Sequence, residues 1–156
     1  MMNPLIQFHV LPEPDSEDAF FKAGIWLIQK VYQGHPESHL VVLSNPEDLH
    51  RLDEWLWTMI PESFLPHSIE GETTTTKTHP AIIDLIASPQ TLSTEDNPST
   101  ILINLSNQTL SNAQMAPYHN IHMIVGKSPE YREFCRSLFR AYKKNGIPLL
   151  SEAIAL

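Results

Sequence analysis

Glycine is scarce in this chain, with five in 156 residues, and cysteine occurs once, as Cys135. The glycines form neither GxGxxG nor GxxxxGK(S/T), so the backbone loop that cradles nucleotide phosphates is missing. One cysteine cannot make an intrachain disulfide, which fits a reducing cytoplasm, the expected location. In its helical context Cys135 reads as a small core hydrophobe rather than a nucleophile. Apolar runs are short, none approaching the ~18 residues that span a bilayer, and the start MMNPLIQFHV lacks the basic segment of a secretory leader. Neither HExxH, nor a Cys/His cluster, nor GxSxG occurs. The pairs His35/His39 and His119/His122 fall in turns or strands, not on one helical face. Asp53, Glu54 and Asp84 show no local pattern of paired acid and base. No catalysis, metal or cofactor is therefore expected.

What is present has ordinary proportions for a soluble globular protein, 42% apolar and 18% charged. The net charge of −8 is unevenly spread. Lys127, Arg132, Arg136, Arg140, Lys143 and Lys144 oppose only Glu130 and Glu133 between 127 and 144, giving that segment +4. The rest, with four basic residues against sixteen acidic, carries −12. Such a body disfavours non-specific nucleic-acid binding, while the basic segment can attract an acidic partner.

Apolar periodicity predicts strands at 4–11, 39–44, 81–87, 101–106 and 121–126. A helix is expected from Asp15 or Ser16 to about Gln33, with Phe20, Gly24, Leu27, Ile28 and Val31 on its buried stripe. A second opens at Asn45-Pro46 and runs to about Met59. A third runs from Ser128-Pro129 to about Asn145, with Gly146 just past its end. Residues 71–80 and 88–100 have loop composition, and 107–119 read as irregular or a short helix. The alternation indicates one α/β domain over 1–156 with a largely parallel sheet.

Two helices carry residues that do not fit a core stripe. At 100° per residue from Leu49, Leu52, Trp55, Leu56 and Met59 cluster around about 300°. Trp57 lies near 80°, roughly 140° away, beside Asp53, Glu54 and His50. Either a neighbouring loop covers it, or it is an exposed anchor for a protein partner, a role in which Trp is enriched. Phe64, bounded by Pro61 and Pro66, could extend the same patch.

On the last helix Tyr131, Phe134, Cys135, Leu138 and Tyr142 share a core stripe within about 60°. Arg132, Arg136, Arg140 and Lys143 span about 100° to 180°, with Phe139 at about 80° on the border. An aromatic ring beside arginines at i, i+4 and i+8 could seat an apolar group together with carboxylates, which guanidinium forks bind well. The plainer alternative is a solvated charged face. Single-stranded nucleic acid is a third, though one bordering aromatic makes a poor stacking platform.

LDEWLWTMIPESFLPHSIEGE (52–72) resembles the LDxxLW…ESFxPH signature of the chi subunit of bacterial DNA polymerase III. RLDE at 51–54 and RxxFRAYKxxG at 136–146 extend the likeness. The resemblance implies a Rossmann-like fold without a nucleotide site, and a non-enzymatic accessory subunit. It implies two partners: the psi subunit, which tethers chi to the clamp loader, and the acidic C-terminal tail of single-stranded DNA-binding protein. That tail ends in Pro-Phe with a free carboxylate, preceded by aspartates. In some bacteria chi also meets a helicase-like repair protein through its psi-facing surface. Carried over, the psi-facing residues are Trp57 and Phe64. The tail-binding residues are Val125, Arg132, Arg136, Phe139 and Arg140, with Arg136 on the terminal carboxylate and Arg132 and Arg140 at the rim. Phe139 and Arg140 stand where relatives commonly have Tyr and Lys, so a hydroxyl is lost while ring and charge remain. Contact with nucleic acid would be indirect, and no membrane is implied. A small α/β enzyme and a direct binder of single-stranded DNA are the alternatives.

Overall fold

A computed structural model gives the architecture, and it describes residues 5–12, 16–34, 39–58, 67–69, 83–86, 100–116 and 118–154. In chain order these form β1 (Leu5–Val10), α1 (Glu17–Gly34), β2 (His39–Leu43), a 3₁₀ turn (Pro46–Asp48) and α2 (Leu49–Thr58). Then come β3 (His67–Ile69), β4 (Ile83–Ile86), β5 (Thr100–Asn104), α3 (Asn112–Met115), β6 (Asn120–Val125), α4 (Pro129–Lys144) and β7 (Leu149–Ala153). The strands make one sheet in the order β3-β4-β2-β5-β6-β1-β7, and every neighbouring pair is parallel. This is the Rossmann-like α/β layout.

The inner strands β2, β5 and β6 are buried almost throughout, because a parallel sheet is covered on both faces. Every residue of β5 is buried, and only the first residues of β2 and β6 are partly exposed. Phe8 and Val10 border a cleft with α4, whereas Gln7 and His9 border another with α1. Successive strand residues face opposite sides, so α1 and α4 lie on opposite faces of β1. Leu27 and Ile28 of α1, Leu52 and Leu56 of α2, and Cys135 and Leu138 of α4 enter the same core as the strands. Among the described residues no helix is long and apolar enough to cross a membrane.

Caps set the helix starts. Ser16 Oγ accepts a hydrogen bond from Ala19 N at 3.1 Å, and Ser128 Oγ accepts one from Tyr131 N at 3.1 Å, with Pro129 at the first helical position. Asn45 behaves otherwise: its side chain makes no cap, and its Oδ1 instead accepts from Asn107 N at 3.4 Å. The segment therefore opens as a 3₁₀ turn, and α2 proper begins at Leu49. Of its expected stripe, Leu52 and Leu56 are buried and Leu49 and Trp55 pack half-buried on the core, while Met59 lies outside the described residues.

Two strands appear that periodicity did not predict. β7 (LLSEA) is an outermost strand among those described, and all but its first residue are exposed, so it carries no apolar alternation. β3 has only three residues, too few for any period.

Candidate functional site

The last residues of β1 and β6, Val10 and Val125, stand side by side in register. With Phe8 and Ser151 of β7 they floor a cleft of about 250 Å³, walled by Arg132, Cys135, Arg136 and Phe139 from α4. Phe139 meets Phe8 edge to face, ring centroids 5.4 Å apart, and closes the apolar end. Such crevices at the carboxyl ends of parallel strands are where open α/β sheets bind ligands.

The turn from β6 into α4 shapes this corner. Gly126 has φ +145°, and a Cβ built there would meet Leu11 Cδ1 at 2.8 Å, so only glycine lets the two loops approach. Leu11 N donates to Val125 O at 2.9 Å, and its carbonyl oxygen accepts from Arg132 Nη2 at 3.2 Å. Arg132 is consequently 8% exposed. This corrects its placement at the rim. An angle of about 100° from Tyr131 borders the core stripe, and a long aliphatic stem carries the guanidinium inward to a backbone acceptor. Its charge therefore sits in the wall of the cleft.

Arg136 and Arg140 stay on the surface, 59% and 69% exposed, and both reach Glu133: Arg136 Nη1 to Oε2 at 3.5 Å, Arg140 Nη2 to Oε1 at 3.7 Å. Arg140 is not part of the cleft lining. Cys135 Sγ lies 3.8 Å from Ile124 O, and burial pushes its thiol up to about 12. It is no nucleophile near neutral pH. The neighbouring Tyr131 phenol is likewise pushed up by burial, and donates to Ser106 O at 3.2 Å.

Val125, Arg132, Arg136 and Phe139 thus surround one cleft, and Arg140 extends the row beyond it. Phe8, Val10 and Ser151 were not anticipated. Alternation places Phe8 and Val10 on a common face, but only the topology shows that this face meets α4. Trp57 lies within α2, but its side chain is outside the described set, and Phe64 falls outside the described residues.

Two other polar clusters are built into the fold. On the α1 face, His9 Nε2 and His122 Nδ1 are hydrogen-bonded at 2.9 Å, and Glu152 Oε1 lies 3.2 Å from His9 Nδ1. Beside α4, Lys127 adopts φ +115° and places Nζ 3.7 Å from Asp48 Oδ2, within 5.2 to 5.8 Å of the Phe20, Phe21 and Tyr131 ring centres. Burial outweighs that cation and raises the Asp48 carboxyl. Among the described residues no group of three His, Cys, Asp or Glu could hold a metal ion.

An all-parallel sheet with helices on both faces, and an apolar, arginine-walled cleft at its strand ends, defines a Rossmann-like α/β protein. The model of one protein family, DNA polymerase III chi subunit, HolC, matches residues 3–150, and the chain belongs to that family. The chi subunit is a non-catalytic accessory subunit of the DNA polymerase III holoenzyme, so this chain takes part in DNA replication without performing its chemistry. No curated protein is similar enough to the chain to count as a match.

Proposed function

We propose that this chi subunit is a two-sided adaptor in the cytoplasm. Its cleft takes the acidic C-terminal tail of single-stranded DNA-binding protein. Trp57 and Phe64 anchor the psi subunit, and the same aromatic surface serves a helicase-like repair protein in an alternative complex. One observation supports the tail assignment: four residues carried over from the family resemblance line a single cleft of about 250 Å³. That space suits one aromatic side chain, held by Val125 and the Phe139 and Phe8 rings. Arg136 pairs with the terminal carboxylate at the mouth, Arg132 adds its field from within the wall, and Arg140 meets the preceding aspartates. The psi assignment comes from the family resemblance, and the helical angle of Trp57, away from the stripe that buries Leu52 and Leu56, supports it.

Separation of function tests the adaptor. Trp57→Ala should lose psi, by about thirtyfold or more for a hot-spot residue, and keep the tail peptide. Arg136→Ala should do the reverse. Both should keep the wild-type circular-dichroism melt, and size-exclusion chromatography should show psi, wild-type chain and peptide in one 1:1:1 complex. Mutual exclusion of psi and peptide would contradict a bridge, and a collapsed melt for Trp57→Ala would make that residue core.

A further inference from the structure

Glu133 stands on the solvent face of α4, three and seven residues before the two surface arginines. Its carboxylate reaches both, 3.5 Å from Arg136 and 3.7 Å from Arg140. Arg132, by contrast, points its guanidinium inward to Leu11 O. The two cations that face an arriving ligand are therefore already bridged by an anion of the chain's own.

We infer that Glu133 is an internal competitor: it fills the anion seat of Arg136 and Arg140 in the free protein and is displaced when an acidic ligand binds. The inference rests on the tail-binding reading of the cleft. A ligand offering one carboxylate frees one arm of the bridge. A ligand with a terminal carboxylate and an acidic residue shortly before it replaces both. All three side chains are more than half exposed. Each pair is consequently weak and screened, and the brake is modest and salt-dependent. The opposite role is equally definite in its consequence: if Glu133 served to hold Arg136 extended toward the cleft, removing it would weaken binding.

The sign of one effect decides. Calorimetric titration would use a synthetic peptide that ends in aspartates, Pro and Phe with a free carboxylate. The wild-type chain, Glu133→Gln and Glu133→Ala would be compared at low and moderate salt. Both variants should bind roughly threefold to tenfold tighter at low salt, with the gain shrinking as salt rises. In an Arg136→Ala background the gain from Glu133→Gln should be smaller, because only the Arg140 arm remains. Unchanged or weaker binding by the variants, with wild type binding normally, overturns the competitor and leaves the cleft reading intact. Failure of wild type to bind the peptide overturns the cleft reading, and the competitor with it.

Discussion

His9 is 4% exposed, the last residue but one of β1, hydrogen-bonded to His122 and beside the Glu152 carboxylate. Burial lowers its pKa, opposed by Glu152 and reinforced by Lys30. The unfolded chain takes up a proton as pH falls through about 6.5, while the folded chain resists until lower pH. Stability therefore falls with pH across that window and then levels off. His9→Gln should flatten this dependence between about pH 7 and 5, measured as the difference in urea midpoint; an unchanged slope would remove His9 as its source. The raised Asp48 carboxyl acts with the opposite sign at lower pH, near its own range, where the folded state holds its proton longer. None of this is visible in the sequence, because His9 and His122 are 113 positions apart and meet only through strand pairing. The helical angle of Arg136, in contrast, predicted a surface position and the structure has one; Arg132, on the border of the stripe, turned inward for an acceptor that only the fold supplies.

At the scale of elements, the β6–α4 turn sets the site. Gly126→Ala adds a methyl against Leu11 at a backbone conformation that L residues avoid, and should cost about 2–4 kcal/mol in urea unfolding. It should also weaken tail binding, since it displaces the carbonyl that seats Arg132. Gly146→Ala is the control, with φ +75° and open space around it, and should cost only about 1 kcal/mol without touching binding. Equal losses for the two would remove the turn from the account. The α4 stripe was legible because sixteen residues with Ser128-Pro129 and Gly146 at its ends repeat the period several times. β7 was illegible: an outermost strand whose residues after Leu149 are all exposed shows no alternation, yet it supplies Ser151 to the cleft.

At the scale of the molecule, the parallel α/β layout followed from apolar strands alternating with amphipathic helices, and the strand order did not. Placing β1 between β6 and β7 is what brings Phe8, Val10 and Val125 under α4. The charge asymmetry acts at this scale too: the +4 segment supplies Arg132 and Arg136 to the cleft of a chain whose net charge is −8. It should speed capture of an acidic tail at low salt while repelling bare nucleic acid. In the proposed complex the cleft recognises a free chain end through Arg136. Calorimetric titration of the tail peptide, as free acid and as C-terminal amide, into wild type and Arg136→Ala tests it most directly. Truncating one partner of a charge pair that becomes buried in the complex typically costs ~2–5 kcal/mol, so if the bound peptide covers Arg136, amidation and Arg136→Ala should each weaken binding by about thirtyfold or more. Because both remove the same contact, combining them should cost little beyond either alone. Equal affinity of wild type and Arg136→Ala for the free acid, or of wild type for acid and amide, would contradict the account.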